Sequence, residues 1–375
     1  MKYYIISGEA SGDLHASNLV RAMHAVDDKA EFQGWGGDLM EQAGVHLVKH
    51  YRDLAFMGFA EVIANLRTIL KNIKLCKDDI LKYKPDAVVL IDYPGFNLRI
   101  AEFAKANGIK VYYYISPQVW AWKQSRVKQI KRNVDKMYVI LPFEKEFYKK
   151  FDCDVEFVGH PLLDAIDQRK DSGAALSAHL TKLISTNKPL IALLPGSRKQ
   201  EISVMLPLML SVVPEFQDFQ FVVAGAPSVG PEFYENIIRD QHVEVLYNET
   251  YDLLENSFAA LVTSGTATLE TALFKVPEVV CYKGNLVSYH IARQLIKVDY
   301  ISLVNLVMDK EIVKELIQGE LNKGNLISEL KKITTNTDTR NDLLKHYNDL
   351  TMKLGGSGAS KRVAEGIYME MRNEL

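Results

Sequence analysis

The sequence predicts an α/β protein made of two doubly wound domains, each with a parallel sheet. Short apolar segments alternate with amphipathic ones along the whole chain, the pattern of parallel strands joined by crossover helices. Some apolar segments are uninterrupted, such as 88–91 and 111–115, as expected of strands covered on both faces. The alternation loosens through 164–177 and then restarts, and 375 residues exceed one typical domain. We therefore expect a first domain over 1–165 and a second over 166–356.

The first half of the chain predicts six strands with helices between them. The expected strands lie near 2–7, 31–35, 86–92, 110–115, 137–141 and 155–158. The longest helix is expected from about 61 to 82. The apolar run that opens the sequence is too short for a signal peptide and is interpreted as the first strand.

The second half repeats the pattern with five expected strands. These lie near 190–194, 219–224, 243–247, 259–263 and 278–282, and helices are expected at about 199–213, 231–239, 250–256, 266–275 and 286–296. The tail from about 311 to 372 is expected to be helical and amphipathic. Glycines within 355–358 predict a hinge or helix stop before a last helix, within about 357–375. Packing of that helix on the first domain and exchange with a partner subunit in a homodimer both fit the residues.

Composition excludes several classes of function. A formal net charge of −2 argues against a general nucleic-acid binder, which needs a basic excess or patch. Three scattered cysteines fit a reducing cytoplasm better than a disulfide framework. No segment approaches the roughly 18–20 apolar residues of a membrane span. Any membrane contact is therefore expected to be peripheral.

Two glycine-hydroxyl turns, each between an expected strand and an expected helix, carry the strongest functional signal. Backbone N–H groups at a helix start attract anions, and an arginine adds a fixed positive charge. Two such turns in one domain predict a clamp for a diphosphate. The residues expected to contact it are Gly196, Ser197, Arg198, Ser264, Gly265 and Thr266.

Glu270 lies one turn into the helix that follows the second of these turns. Its carboxylate is expected to accept two hydrogen bonds from a ribose diol. The alternative is a favourable charge in a first helical turn with no ligand.

The turn after the first strand, 8–15, combines glycines with polar side chains. The glycines are four residues apart and lack the G-x-G-x-x-G spacing, which argues against a dinucleotide site. One interpretation is a tight turn in which Ser11 or Asp13 caps the helix. The other places Glu9, Ser11, Asp13 and His15 at the mouth of a substrate cleft.

Asp92 follows a buried strand. A carboxylate at that point can take a proton from an attacking hydroxyl if it is ionised and sufficiently basic. The alternative role is a helix cap, to which Asn97 is better suited. We favour the functional interpretation of Asp92.

Apolar and basic side chains mark a second candidate surface. Trp120 and Trp122 follow another expected strand and are predicted to form a wall against a sugar or an acyl chain. The helix beyond them carries a basic face, which is either simply solvated or attracts anionic headgroups. Met57 lies in the apolar segment 54–60, which is either core or an exposed entry for a lipid.

The sequence predicts neither a metal site nor a cofactor. No cysteine and histidine spacing resembles a zinc site. The acidic pair around Cys153 precedes an expected strand instead of ending one, so it does not resemble a metal-nucleotide site.

Taken together and in this order, the segments resemble the lipid-A-disaccharide synthase family over nearly the full length. The resemblance is carried by 7–13, 57–58 with 61–62, 91–92, 116–122, 141–145, 158–160, 194–198, 264–270 and 299–306. Gly95 stands where the family usually has an acid, and Gln118 replaces a more common serine.

This resemblance implies a GT-B-type fold with two Rossmann-like domains, an interdomain cleft and a C-terminal helix that crosses back onto the first domain. It implies a peripheral enzyme on the cytoplasmic face of the inner membrane that needs no metal. Its reaction joins UDP-2,3-diacylglucosamine to 2,3-diacylglucosamine 1-phosphate, giving the β-1,6-linked disaccharide 1-phosphate and UDP.

We expect an inverting single displacement. Asp92 is the expected base, with Asp13 as second choice, while Arg198 and the two turns stabilise the departing UDP. Asn305 is expected to touch the donor. The alternatives are a UDP-N-acetylglucosamine 2-epimerase on the same fold, a nicotinamide-dependent dehydrogenase and a non-catalytic nucleotide-sugar binding protein.

Overall fold

The computed structural model describes residues 1–54, 66–171, 173, 175–239, 241–284 and 298–374. Two compact units are present, Met1–Asp171 with Leu354–Leu375, and Ser172–Lys353. Met57, the beginning of the expected longest helix and the helix expected at 286–296 lie outside the described residues.

The first unit contains a parallel seven-stranded sheet in the order β3-β2-β1-β4-β5-β6-β7. Its strands are β1 (Lys2–Ser7), β2 (Glu31–Gly36), β3 (Val45–His50), β4 (Ala87–Ile91), β5 (Lys110–Tyr114), β6 (Lys136–Val139) and β7 (Glu156–Phe157). The sequence prediction missed β3. This edge strand is mostly half-buried and mixes polar with apolar residues, so it lacks the continuous apolar run of the central strands.

Helices connect the strands of this sheet. They are α1 (Ala10–Val26), α2 (Asp38–Gln42), α3 (Leu66–Tyr83), α4 (Pro94–Ala106), α5 (Arg126–Asn133), α6 (Glu144–Lys149) and α7 (Pro161–Asp171). A 3-10 turn spans Tyr51–Leu54. The expected domain boundary at 165 falls within α7, whereas the first unit continues to Asp171.

The second unit contains a parallel six-stranded sheet in the order β10-β9-β8-β11-β12-β13. Its strands are β8 (Leu190–Leu194), β9 (Gln220–Gly225), β10 (Glu244–Tyr247), β11 (Ser257–Thr263), β12 (Glu278–Tyr282) and β13 (Lys314–Ile317). The prediction of a wholly helical tail is wrong at β13. This four-residue strand has two charged residues followed by two apolar ones, a pattern too short to separate from a helix by its period.

The helices of the second unit surround this sheet. They are α8 (Ala178–Ile184), α9 (Lys199–Leu210), α10 (Pro231–Ile238), α11 (Thr250–Glu255), α12 (Thr266–Leu273), α13 (Leu303–Met308), α14 (Lys323–Thr335) and α15 (Thr337–Lys353). Short 3-10 turns span Val213–Glu215 and Gln318–Glu320. The two doubly wound parallel sheets confirm the expected α/β class.

The last helix, α16 (Ala359–Glu374), packs on the first unit. Its Val363 and Ile367 belong to the apolar core beneath the first sheet. The Asp164 carboxylate accepts backbone N–H bonds at the start of α16, including 2.8 Å from Ser360. Arg362 Nε donates to the Val158 carbonyl at 2.8 Å. Apolar packing and helix capping together hold the C-terminal helix against this unit.

Strand order determines where a ligand can bind in each sheet. β1 and β4 are neighbours in the first sheet although they are not consecutive in sequence, and β8 and β11 are the equivalent pair in the second. Chains that leave such a pair run in opposite directions across the sheet, and a crevice opens at the carboxyl ends of the strands. We call the loops after β1, β4, β5 and β6 the first edge, and the loops after β8 and β11 the second edge.

Candidate functional site

The backbone of Asp92 and Tyr93 adopts a conformation that is uncommon for residues other than glycine. Asp92 and Tyr93 follow β4 with φ values of 44° and 48°, in the left-handed region. Such a conformation is costly for a bulky residue and persists only where the surroundings enforce it. The Tyr93 ring covers Gly8, where an added Cβ would lie 2.4 Å from the ring. A glycine after β1 is therefore needed to accommodate the turn after β4.

Two side chains hold this turn through the Asp92 carbonyl. Asn97 Nδ2 donates to it at 2.8 Å, and the Tyr113 hydroxyl donates to it at 2.5 Å. Asn97 also donates to the Ile91 carbonyl at 3.1 Å. Asn97 and Tyr113 are both buried, so the main chain of Asp92 is fixed from two directions.

The Asp92 carboxyl group titrates close to neutrality. Burial raises its pKa to about 6, the charge of Glu9 adds to this rise, and a hydrogen bond from the Tyr93 backbone opposes it. A carboxylate with such a pKa is a stronger base than an ordinary aspartate yet is largely ionised at pH 7. The functional interpretation of Asp92 depends on this combination of position and basicity.

Glu144 is a carboxyl group at the first edge that the sequence analysis did not select. It follows β6 and is buried, and its Oε2 accepts the N–H groups of Leu141 and Ile140 at 2.9 and 3.1 Å. Burial raises its pKa to about 7; hydrogen bonds from those N–H groups and from Ser116 oppose the rise, and the charge of Asp92 adds to it. The available signal in the sequence is its place in the family-like segment 141–145, at the start of the helix that follows β6.

Asp13 lies at the first edge, but backbone groups occupy its oxygens. Oδ1 accepts the N–H groups of Gly37 at 2.8 Å and Met40 at 3.1 Å, and Oδ2 accepts that of Leu39 at 3.1 Å. The buried carboxylate therefore caps α2, a helix other than its own.

The other residues predicted around the first turn differ in exposure. Glu9 is half-buried and Ser11 is exposed. His15 is buried, which lowers the pKa of its imidazole to about 4, while the charge of Asp164 acts in the opposite direction. The structure thus brings Glu9 close to Asp92 and places His15 in the interior near α7.

The two tryptophans have different environments. Trp120 is 8% exposed and packs edge-to-face on Phe143, with ring centroids 5.0 Å apart. Trp122 is 47% exposed, and Lys123 Nζ and Arg126 Cζ lie 4.3 and 5.9 Å from its ring centroid. Only Trp122 presents substantial ring surface to solvent.

The first turn of the second edge already holds a carboxylate. Gly196 has φ 107°, a conformation that favours glycine. Glu201, in the first turn of α9, accepts the Ser197 N–H at 3.2 Å and a hydrogen bond from Arg198 Nη1 at 3.0 Å. In the structure, these predicted anion-binding groups therefore bind the Glu201 carboxylate of the protein itself.

The second turn lies directly beside the first. Val262 in β11 is opposite Leu194 in β8, so the residues that follow both strands emerge side by side. Gly265 and Thr266 are exposed at the start of α12, where the backbone N–H groups have no partner within the helix. Ser264 Oγ instead donates to the Ile301 carbonyl at 3.0 Å and anchors the turn.

Asn305 supports this turn from beneath. It is completely buried, its Nδ2 donates to the Val313 carbonyl and to Glu315, and its Oδ1 accepts the Ile312 and Val313 N–H groups. Glu315 also accepts the Ile301 and Ser302 N–H groups, the latter at 2.9 Å. All of these hydrogen bonds are internal, so Asn305 positions the segment that holds Ser264.

Glu270 is oriented by a neighbour that the sequence analysis missed. The Tyr251 hydroxyl donates to Glu270 Oε1 at 3.2 Å. Burial raises the pKa of Glu270, and the hydrogen bond from Tyr251 opposes that rise. Tyr251 is 19 residues earlier in the chain, and no local pattern indicates the pairing.

The requirements of a metal site and of a membrane-spanning helix can be assessed only over the described part of the chain, 1–54, 66–171, 173, 175–239, 241–284 and 298–374. They contain no group of three His, Cys, Asp or Glu side chains placed to hold a metal ion. Among the described helices, none combines the length and apolar content required to cross a membrane.

The sequence is similar to proteins of known class over almost its entire length. Residues 3–364 match the family model described as lipid-A-disaccharide synthetase. The lipid-A-disaccharide synthase of Syntrophus aciditrophicus is 42% identical over 96% of this chain and 95% of its own length. That of Geobacter metallireducens is 38% identical over 98% of this chain and 96% of its own length.

Solved structures show the same fold at low sequence identity. A UDP-GlcNAc 2-epimerase from Neisseria meningitidis, bound to UDP-GlcNAc, is 13% identical, with a TM-score of 0.69 over 98% of this chain and 100% of that chain. A calicheamicin glycosyltransferase is 14% identical, with a TM-score of 0.61 over 98% of this chain and 97% of that chain. Together with the two sheets, these likenesses confirm the expected GT-B-type fold.

Proposed function

Because the chain belongs to the lipid-A-disaccharide synthase family, whose enzymes make the lipid A disaccharide by glycosyl transfer, we propose the specific reaction implied by the sequence. The donor is UDP-2,3-diacylglucosamine and the acceptor is 2,3-diacylglucosamine 1-phosphate. The products are the β-1,6-linked disaccharide 1-phosphate and UDP. The observation that carries this assignment is that a basic Asp92 lies at the topological switch point of one unit while the other unit has two anion-binding turns at its own.

The reaction proceeds as a single displacement at the anomeric carbon of the donor. Asp92 takes the proton of the acceptor 6-hydroxyl as its oxygen forms a bond to that carbon. The bond from the carbon to the β-phosphate oxygen breaks, and its electron pair leaves with UDP. The anomeric carbon inverts, and the proton on Asp92 is later lost to water.

The second edge stabilises the charge that develops on UDP. Arg198 and the N–H groups around Ser197, Gly265 and Thr266 are hydrogen-bond donors for the diphosphate oxygens. Donors that the bound diphosphate has already engaged need no further reorganisation during the chemical step. Glu201 leaves Arg198 and the Ser197 N–H as the diphosphate binds, and Glu270 accepts the ribose hydroxyls.

Asp92 is a better candidate for the base than Asp13. Three backbone N–H groups occupy the Asp13 oxygens, and proton uptake by this carboxylate would weaken the cap of α2. Asp92 is instead held by two side chains through its main-chain carbonyl, and its carboxyl group accepts a backbone hydrogen bond only from Tyr93 among the described residues. We assign Asp13 the role of fixing the loop between β2 and α2.

A surface on α3 suits the peripheral membrane location, which we place on the cytoplasmic face of the inner membrane. One face of this helix exposes leucines together with basic side chains at helical spacing, interrupted by Asp78. Its members are Arg67, Leu70, Lys71, Lys74, Leu75, Leu81 and Lys82. Apolar side chains flanked by cations bind the interface of an anionic bilayer.

Product analysis tests the proposed function directly. The protein is incubated with the acylated donor, with and without the phosphorylated acceptor, and the mixture is analysed by mass spectrometry. We expect disaccharide 1-phosphate and UDP only when both substrates are present. Conversion of the donor without acceptor would instead indicate an epimerase-like reaction, and absence of the disaccharide with both substrates would contradict the proposal.

A further inference from the structure

Two cations beside Trp122 have no anionic partner within the described part of the chain. Lys123 and Arg126 both lie against the exposed Trp122 ring, and the described carboxylates form no ion pair with either. Arg132 on the same helix differs, since it pairs with Glu102 at 2.9 Å. Cations held together without a counterion repel one another, and a bound anion relieves that repulsion.

Lys123 and Arg126 lie at the first edge, after the strand next to the one that Asp92 follows. Lys123 and Arg126 follow β5, which is adjacent to β4 in the sheet, and Asp92 follows β4. Tyr113 in β5 donates to the Asp92 carbonyl at 2.5 Å. Burial raises the pKa of Tyr113 well above its usual value and the charge of Asp92 adds to the rise, whereas the Arg126 guanidinium opposes it. Arg126 is therefore close enough to act on a hydroxyl that contacts Asp92.

We propose that Lys123 and Arg126 bind the phosphate of the acceptor sugar. This inference rests on the proposed function, in which the acceptor carries a phosphate on carbon 1 and reacts through its 6-hydroxyl. Those two groups extend from different ends of one hexose, so the acceptor needs a cation site on a loop next to the base, and β4 and β5 are neighbours in the sheet. The planar guanidinium of Arg126 forms two hydrogen bonds to a phosphate, and Lys123 adds a compact charge.

A phosphate-binding pair also determines which sugar is accepted. An acceptor that lacks the phosphate leaves both cations without a counterion and forfeits their charge-assisted hydrogen bonds. The site therefore selects a sugar phosphate over the corresponding neutral sugar. Phosphate groups of membrane lipids have the same chemistry, and the experiment must separate the two sources.

Acceptor kinetics in neutral detergent micelles separate binding of the acceptor phosphate from attraction to lipid phosphate groups. The Lys123→Gln/Arg126→Gln double variant is compared with wild type on the phosphorylated acceptor and on its dephosphorylated counterpart. We expect kcat/KM for the phosphorylated acceptor to fall by about 30- to 300-fold, the loss of two charge-assisted interactions. The value for the dephosphorylated acceptor and the KM for the donor stay within about 2-fold. Lys128→Gln, which removes an exposed charge from the same helix, is the matched control and leaves both acceptors unchanged.

Two results overturn the phosphate assignment while the proposed function stands. One is an equal loss for both acceptors, which assigns the cations to general attraction or folding; the other is unchanged kinetics with the phosphorylated acceptor. A wild-type protein that forms no disaccharide from either acceptor contradicts the proposed function itself. Disaccharide formation by the wild-type protein therefore distinguishes failure of this inference from failure of the proposed function.

Discussion

The turn that holds Asp92 at the first edge and the two turns of the second edge use the same topology for opposite electrostatic purposes. The first edge brings together the carboxyl groups of Glu9, Asp92 and Glu144, and the pKa of both Asp92 and Glu144 is raised. The second edge presents backbone N–H groups and Arg198 from exposed turns. Strand order therefore determines where a site forms, while the loop residues determine whether it accepts protons or stabilises negative charge.

The edges also differ in how their loops are held. At the first edge, buried Asn97 and Tyr113 fix a left-handed backbone through the Asp92 carbonyl. At the second edge, the charged Glu201 holds one exposed turn, and Ser264 anchors the other to Ile301. The first arrangement restrains a side chain that must be oriented, whereas the second exposes Gly265 and Thr266 and holds the other donors through a carboxylate that an entering ligand displaces.

The largest expected effect of a single substitution is at Asp92. Asp92→Asn removes the proton acceptor but suits the backbone, because asparagine tolerates the left-handed conformation. We expect kcat to fall by about 10³- to 10⁴-fold, the upper range for loss of a general base, with donor affinity unchanged. Steady-state kinetics and calorimetric titration with UDP provide the measurements. Near-normal turnover with normal UDP binding would exclude Asp92 as the base.

Arg198 should give the next largest effect. Arg198→Ala is expected to lower kcat by about 10²- to 10³-fold, as for the loss of one fixed donor to a developing oxyanion. Arg198→Lys should recover part of the rate because it retains the charge but not the forked geometry. Rates measured at saturating donor isolate the chemical step. Identical rates for the alanine variant and wild type would remove the diphosphate role.

A smaller effect is expected where a residue only orients Glu270. Tyr251→Phe removes the hydrogen bond to Glu270 Oε1 while keeping the aromatic ring. We expect the donor KM to rise about 5-fold, equivalent to roughly 1 kcal/mol for one hydrogen bond, with kcat preserved. A donor that lacks the ribose 2′-hydroxyl should show a smaller difference between the two proteins. An equal difference with both donors would show that Tyr251 does not act through the ribose.

Glu278 offers a test of folding stability at a position outside the loops of the first and second edges. It is buried in the second unit, both its oxygens lack a hydrogen-bond partner within the described residues, and burial raises its pKa well above the usual value. The folded state therefore binds a proton that the unfolded chain releases above its ordinary carboxyl pKa, and stability falls as pH rises.

Glu278→Gln removes this proton linkage. We expect the free energy of unfolding at pH 7 to increase by on the order of 1–3 kcal/mol, with the gain disappearing as pH falls to the ordinary carboxyl range. Urea unfolding at several pH values gives the comparison, and Glu255→Gln, an exposed change in the same unit, is the control. A gain that does not vary with pH would contradict the account of Glu278.

The sequence predicts the central strands and the turns after them because those strands are continuous apolar runs. β1, β4, β8 and β11 are recognised in this way, and with them the positions of Asp92 and Arg198. The edge strands β3 and β13 are not, since each mixes polar and apolar residues and lacks a continuous apolar run.

Roles that depend on contacts distant in sequence could not be predicted. Asp13 caps a helix through N–H groups that begin at Gly37, and Asn305 is satisfied by the segment around Val313. Glu270 depends in the same way on Tyr251. A sequence motif indicates that a polar residue is needed, whereas the folded structure shows which atoms it contacts.

The pH dependence of kcat/KM tests most directly the division between a proton-accepting edge and an anion-stabilising edge. The wild-type rate should fall below about pH 6, following the Asp92 carboxyl group. Glu9→Gln should move this acid limb to lower pH, because the charge of Glu9 raises the Asp92 pKa. Arg198→Ala should lower the whole profile without moving the limb. An acid limb that stays in place in Glu9→Gln, or that shifts in Arg198→Ala, would contradict the account.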